Sequence, residues 1–437
     1  MKKTLFILFV LISSYSFAQN GWFLQYTTQY PINNIYFLNE NTGWACGDSG
    51  FVAKTTNGGL NWIGQYSPIR VCYKSIHFIN ENTGWVAGGD DYILSTTGIL
   101  NTTNGGANWY VLIYSGGYST FSSIYILNKD TVFAALSGYS MYQTEGGFSR
   151  TTNGGVNWQP QVSGFGGYQF SSIHFINNLT GWVLAFFGND TGLRLGRILK
   201  TTNCGANWVV QLRDSNLINS NLKQIKFVNS QTGFAAGEGG RLLKTTDGGD
   251  SWIRKNTSTS RNLFSVSFIN ENTGWIGTYK SGDTSGVLKT TNGGENWIKS
   301  TASSSLVSVG NMLFVNALTG WACSYQNGGI ILKSITGGLT NANNITSKIP
   351  DKFSLSQNYP NPFNPNTNIK FALTKSGFIK INVFDALGRE VKNLVNENLP
   401  AGEYEVSFDG GDLNSGIYFY KLETDGFTET KKMILIK

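Results

Sequence analysis

Histidine is almost missing from this chain. Its 437 residues include two, His77 and His174, beside four cysteines, Cys46, Cys72, Cys204 and Cys323. No CxxC pair and no Cys/His spacing of the metal-binding kind occurs, so no metal or cofactor is expected. Charged residues are only 14% of the chain. The lysines and arginines are scattered, without a stripe or a basic helix. The net charge of +7 therefore reads as a solvated surface, and no nucleic-acid partner is expected. No apolar run reaches the ~20 residues of a membrane-spanning helix. No segment has a helical period, and GxSxG, HExxH and phosphate-loop patterns are missing. Export would permit disulfides, and four cysteines allow three pairings among which the sequence does not choose. Cys46 and Cys323 fall at matching repeat positions, which suggests two apolar strand residues rather than a pair.

What is present begins with an export signal. Lys2 and Lys3 precede an apolar run at 5–12, and Ser16-Phe17-Ala18 supplies a small-x-small cleavage site. Residues 1–18 are expected to be a signal peptide. No cysteine stands at the cut, so no lipid anchor is expected there.

Two short motifs then alternate along residues 20–338. One is TTNGGLNW at 55–62, repeated as TTNGGANW (102–109), TTNGGVNW (151–158), TTNCGANW (201–208), TTDGGDSW (245–252) and TTNGGENW (290–297). The other is INENTGW at 79–85 and 269–275, with relatives at 38–44, 127–133, 176–182, 228–234 and 315–321. Six copies of one and seven of the other leave the seventh unit, ending in ILKSITGG at 331–338, without its box tryptophan. Asn20-Gly21-Trp22-Phe23 resembles the missing piece. A repeat of 40–50 residues built of four short strands is the mark of a propeller. The expected fold is all-β: a seven-bladed β-propeller at 20–338, closed by an N-terminal strand that completes the last blade and removes both free sheet edges.

The box motif reads as the turn between the third and fourth strands. Asn57, Asn104, Asn153, Asn203, Asp247 and Asn292 are expected to accept backbone N–H bonds. Gly59, Gly106, Gly155, Gly205, Gly249 and Gly294 supply a positive φ. Trp62, Trp109, Trp158, Trp208, Trp252 and Trp297 are expected to pack against a neighbouring sheet. Cys204 sits at a box position read as free. All 12 tryptophans belong to one motif or the other, so a sugar-stacking platform would have to use Tyr or Phe.

The boxes resemble the Asp-box repeat of bacterial neuraminidases. The fuller pattern, N-x-x-T-G-W followed by K-T-T-N-G-G-x-N-W, is similar to the propeller of the photosystem II assembly and stability factor family. A sialidase would need three arginines on a carboxylate, a Tyr nucleophile with a Glu, and an Asp acid. Arg70, Arg194, Arg197, Arg213 and Arg261 show no such arrangement.

After a polar stretch at 339–352, read as a linker, residues 353–437 alternate with period two between glycine turns. A small Ig-like β-sandwich is expected. Tyr359-Pro360-Asn361-Pro362-Phe363, then Asp385, Gly388 and Arg389, then Gly416 and Tyr418, resemble the type A C-terminal sorting domain of the type IX secretion system of Bacteroidetes and their relatives. The resemblance implies the type IX machinery as a partner. It also implies delivery to the outer-membrane surface or beyond, removal of the tail, and attachment to lipopolysaccharide or release. A photosystem role suits such a tail poorly.

A meander of strands A to D puts the A–B and C–D turns on one face and the B–C and D–A loops on the other. The repeated motifs occupy the first face, so recognition is expected on the second. Box-tryptophan spacings of 40, 47, 49, 50, 44 and 45 put the longest loops in blades two to four. Tyr92, Tyr118, Tyr139, Tyr142 and Tyr168, with Asp90, Asp91, Glu145 and Arg194, are the candidate ligand-binding residues there. No catalytic residue is assigned. A further varied position, Tyr36, His77, Tyr125, His174, Lys226, Ser267 and Leu313, is expected to line the channel near the variable-loop face. The function read from this is a monomeric, surface-displayed module that binds a glycan or a protein. The alternative is a glycoside hydrolase or lyase with its site on the same loops.

Overall fold

The structure, a computed structural model, describes residues 22–89, 96–116, 120–137, 147–161, 168–188, 194–213, 221–279, 286–300, 309–324, 328–335, 337–338, 342–346, 349–399 and 401–437. The expected signal peptide, 1–18, lies outside them. The described residues form nine four-stranded antiparallel sheets. Seven make the blades of a propeller. Blade 1 consists of Ile32–Phe37, Gly43–Gly47, Val52–Thr55 and Ile63–Gly64, here strands A to D. Blades 2 to 6 repeat that order through residues 73–116, 120–160, 168–213, 222–255 and 262–300.

Blade 7 is assembled from both ends of the propeller. Its strands A to C are Asn311–Phe314, Gly320–Ser324 and Gly329–Ser334, and its D strand is Phe23–Thr28. Phe23 pairs with Lys333, as Ile63 pairs with Lys54 in blade 1. That register puts Trp22 where a box tryptophan belongs. Its indole lies edge-on to Phe314, 5.8 Å between centroids at 79°. The other half of the box is kept: Gly338 N–H donates to Ser334 Oγ at 2.7 Å.

A stacked pair seals most blade interfaces. The strand-B aromatic of one blade lies flat on the last strand-A phenylalanine of the next: Trp44 on Phe78, Trp182 on Phe227, Phe234 on Phe268, Trp275 on Phe314 and Trp321 on Phe37, at 3.5–3.7 Å. The box tryptophan of the second blade meets the same phenylalanine by its edge, as Trp62 meets Phe37 and Trp252 meets Phe227. The five tryptophans on strand B are at most 1% exposed. Cys46 and Cys323 lie on strand B of blades 1 and 7 as buried apolar residues, and burial pushes both thiols up.

The other two sheets face each other as a sandwich. One orders its strands Ala342–Thr346, Gly402–Asp409, Asn366–Leu373 and Ser354–Leu355. The second orders Glu390–Leu399, Gly377–Asp385, Gly416–Thr424 and Phe427–Leu435. Ile369, Phe371, Ile381, Val395, Tyr404 and Leu422 are among the residues of their shared core. The strand at 342–346 corrects the linker reading of 339–352. It pairs antiparallel with the strand at 402–409, Ala342 opposite Val406. An edge strand is held by backbone bonds on one side only, so its polar composition resembled a linker.

Trp22→Ala should therefore cost as much as truncating any core aromatic, about 3–5 kcal/mol. Urea unfolding followed by tryptophan fluorescence checks this.

Candidate functional site

Each box closes on itself. Thr55 Oγ1 accepts from Gly59 N–H at 2.9 Å and donates to Asn57 Oδ1, which also accepts from Asn61 N–H at 2.9 Å. The same bonds recur at Thr102, Thr151, Thr201, Thr245 and Thr290. Asn104, Asn153, Asn203, Asp247 and Asn292 take the Asn57 part. Gly106, Gly155, Gly205, Gly249 and Gly294 have φ between 77° and 97°, beside 93° at Gly59. In Asp247 the carboxyl falls to about 2, chiefly through the Ser251 hydroxyl, and the side chain is half-buried. It is committed to the turn.

The position just before that glycine is not free. Gly58, Gly105, Gly154, Gly248, Gly293 and Gly337 all have positive φ, and Cys204 adopts φ 57° at the same place. Its N–H reaches back to the A–B turn of its own blade in all seven units, for example Gly58 to the Asn41 carbonyl at 2.8 Å and Cys204 to Leu179 at 2.9 Å. The A–B and C–D turns thus share one face. The carbonyl at that position accepts from the preceding blade: from Trp44 to Gly105, Trp182 to Gly248, Trp275 to Gly337 and Trp321 to Gly58, at 2.7–3.2 Å. Blades 3 and 5 carry Phe133 and Phe234 instead of tryptophan. There a strand-C cation replaces the indole: Arg150 donates to the Cys204 carbonyl and Lys244 to Gly293.

This repeat geometry matches a known family model. The photosynthesis system II assembly factor YCF48 model covers residues 16–174 and 214–340, well over half of the chain. The chain belongs to the YCF48 family. Solved YCF48 structures share its fold. One described as bound to D1 peptide is 18% identical over 72% of this chain and 96% of its own, with a TM-score of 0.54. YCF48 from Cyanidioschyzon merolae is 17% identical over 72% and 98%, with a TM-score of 0.52. PorZ of Porphyromonas gingivalis, described as an essential surface component of the type IX secretion system, is 11% identical with a TM-score of 0.57. It covers 93% of this chain, which spans 59% of PorZ. No curated protein matches the chain.

Residues 357–437 match the secretion system C-terminal sorting domain. That domain marks the chain for export to the cell surface or the extracellular space through the type IX system. Most of its motif residues build turns. Asp385 accepts from the Leu387 and Arg389 N–H groups and from Arg389 Nε at 2.7 Å, and Gly388 has φ 77°. Phe363 is buried in the sandwich core. Tyr418 donates to the Asn414 carbonyl, next to the strand start at Gly416. Tyr359-Pro360 and Asn361-Pro362 are cis, and the Asn361 side chain accepts from Ile434 N–H. Tyr359 and Leu387 stand out in solvent, about four-fifths exposed.

Of the candidate ligand-binding residues, Asp90, Asp91, Tyr92, Tyr118, Tyr139, Tyr142 and Glu145 lie outside the described residues, as does the side chain of Arg194. Tyr168 opens strand A of blade 4, and the Arg197 guanidinium lies over its ring at 5.0 Å. A hollow of about 350 Å³ between blades 5 and 6, lined by Thr257, Ser258, Thr259, Ser260, Arg261 and Lys299 among others, was not foreseen. Its only trace in the sequence is the hydroxyl-rich run at 257–260.

The channel holds the second unforeseen feature. The position of Tyr36, His77 and Tyr125 does line it. It lies one residue before the end of strand A, so it belongs to the motif face and not the variable-loop face as expected. The reason is bonding. Strand A is the inner edge of its blade, and its unpaired backbone groups are met by side chains from the blade before. Ile126 N–H donates to His77 Nδ1 at 2.8 Å, Tyr125 donates to the Phe175 carbonyl at 2.7 Å, and His174 Nε2 bonds the Phe227 carbonyl at 3.0 Å.

Burial, with the Lys226 ammonium nearby, lowers His77 to about 3 and His174 well below the ordinary range. Both rings are neutral in the fold, whereas an unfolded histidine binds its proton near pH 6.5. Their contribution is therefore complete above about pH 6.5 and is lost on acidification, that of His77 as pH falls towards about 3. The double variant His77→Asn, His174→Gln keeps an acceptor and a donor without a titrating ring. Its unfolding midpoint should fall less on acidification than that of the unaltered chain. Asp247→Asn should shift stability by no more than about 0.5 kcal/mol, since five boxes already use Asn, and urea unfolding measures it.

Proposed function

We propose that the propeller is a recognition module that binds a polypeptide or glycan through its B–C and D–A loops while displayed outside the cell. The observation that carries this reading is the division of labour between the faces. The polar groups of the repeated motifs are used in holding turns and blades together, while the strand ends that lead into the non-repeated loops lie at the opposite rim. A rigid scaffold with variable loops at one end is the usual layout of a binding surface. The family supports a polypeptide ligand, since a YCF48 structure is described as bound to a peptide. Aromatic-rich loops suit either class, because Tyr offers large contact area at low entropy cost.

In this reading residues 1–18 direct passage across the inner membrane and are removed. The sorting domain engages the type IX machinery and is then cleaved, leaving the propeller on lipopolysaccharide or free. The propeller acts as a monomer, without metal or cofactor.

A chain truncated after residue 356 should remain inside the cell, while the full chain reaches the surface; surface protease accessibility separates the two. Peptide and glycan arrays probed with the full chain should give a ligand whose binding drops at least tenfold in Tyr168→Ala or Tyr118→Ala. Hydrolysis of a glycan, abolished by Asp90→Asn or Glu145→Gln, would instead make the propeller an enzyme.

A further inference from the structure

The channel contains a charge that the fold does not use. Lys226 stands on strand A of blade 5 at the position where His77, Tyr125, His174 and Ser267 bond the next blade, yet it has no hydrogen bond and no ion pair with any described residue. None of the described residues lining the channel is acidic. Burial lowers the Lys226 pKa, and an ammonium enclosed without a counter-ion is costly.

The neighbouring groups are uncharged: aromatic rings, several Ser, Asn and Gln side chains, and a few apolar ones. His77 accepts a backbone N–H through Nδ1, so the proton of its neutral ring is on Nε2. That N–H has no partner among the described residues. The Tyr36 hydroxyl likewise has none, whereas Tyr125 spends its own on the Phe175 carbonyl. The rings of Tyr36, His77, Tyr125 and His174 follow one another around the wall at 4.8, 4.8 and 5.8 Å. Leu313 lines the channel on blade 7.

We infer that this channel is a binding site for a small organic monocarboxylate, with Lys226 as counter-ion and His77 Nε2 and the Tyr36 hydroxyl as donors. One unpaired positive charge matches one negative charge. Charge-assisted bonds to a carboxylate are among the strongest available to a lysine. Aromatic and aliphatic walls suit an organic body better than a bare inorganic ion. The channel offers about 250 Å³, roughly the volume of eight waters, which admits a few-carbon acid and excludes a sugar polymer. The site lies on the motif side of the channel, so it stands apart from the loop face and does not rest on the reading above.

Thermal unfolding of the full chain, titrated with sodium acetate or sodium pyruvate against sodium chloride at equal ionic strength, tests this. The midpoint should rise with carboxylate concentration, as for any ligand of the native state, and not with chloride. Lys226→Met should remain folded and lose the response. Tyr36→Phe keeps the charge and should weaken calorimetric acetate binding several-fold. If Lys226→Met does not fold, Tyr36→Phe alone decides. An equal effect of chloride, an undiminished response in both variants, or no carboxylate effect on the unaltered chain would overturn the assignment.

Discussion

The propeller depends on one peptide group, repeated around the ring. At Gly58 and its equivalents the N–H holds the A–B turn of the same blade, and the carbonyl takes a bond from the blade before. A single residue thus couples the closure of a blade to its attachment. The geometry requires a left-handed backbone, which costs an L-residue roughly 1–2 kcal/mol and glycine almost nothing. Six units supply glycine and the fourth bears Cys204 in the same conformation. The donor is more tolerant than the acceptor. An indole serves in four interfaces, and an Arg or a Lys serves where strand B carries phenylalanine. The interface between blades 2 and 3 is built otherwise: strand A there ends in Ile126, and Trp85 lies edge-on to Trp158 at 6.2 Å.

Bonding of this kind uses up the chemistry of the motif face. The Thr, Asn and Asp groups of the boxes satisfy backbone N–H groups, and strand-C lysines lie over the strand-B aromatics, as Lys54 does over Trp44 at 5.0 Å. A carboxylate such as Asp247 is then a turn acceptor, lowered by its own donors, and has no role left as an acid or base. The channel obeys the same logic with different residues. Inner-edge backbone groups have no strand beside them, so Ser, Gln, His and Tyr from the preceding blade complete them. Tyr36, Leu313 and Lys226 occupy such positions without completing a backbone group, and of the three Lys226 carries a charge.

The sorting domain shows a similar economy. Asp385, Gly388 and Arg389 form one tight turn, and Phe363 anchors the opening motif in the core. Tyr359 and Leu387 are the large apolar groups within these motifs that stand furthest into water, with Ile417 about half exposed. They are the parts of the motifs that the domain does not need for its own packing.

Blade number, ring closure and the sandwich were legible in the sequence because each rests on local pattern: a turn needs glycine and an Asx acceptor, and a strand needs alternation. Trp22 could be assigned to blade 7 because a missing motif and a surplus one must complement each other. Three features lay beyond that reach. The strand at 342–346 is specified by the sheet it joins and not by its own polar residues. The strain at Cys204 follows from bonds to the A–B turn of its own blade and to a strand-C arginine of the blade before, which no local pattern records. The loneliness of Lys226 emerges only when seven strands distant in sequence surround one channel, because whether a charge has a partner depends on every neighbour the fold brings to it.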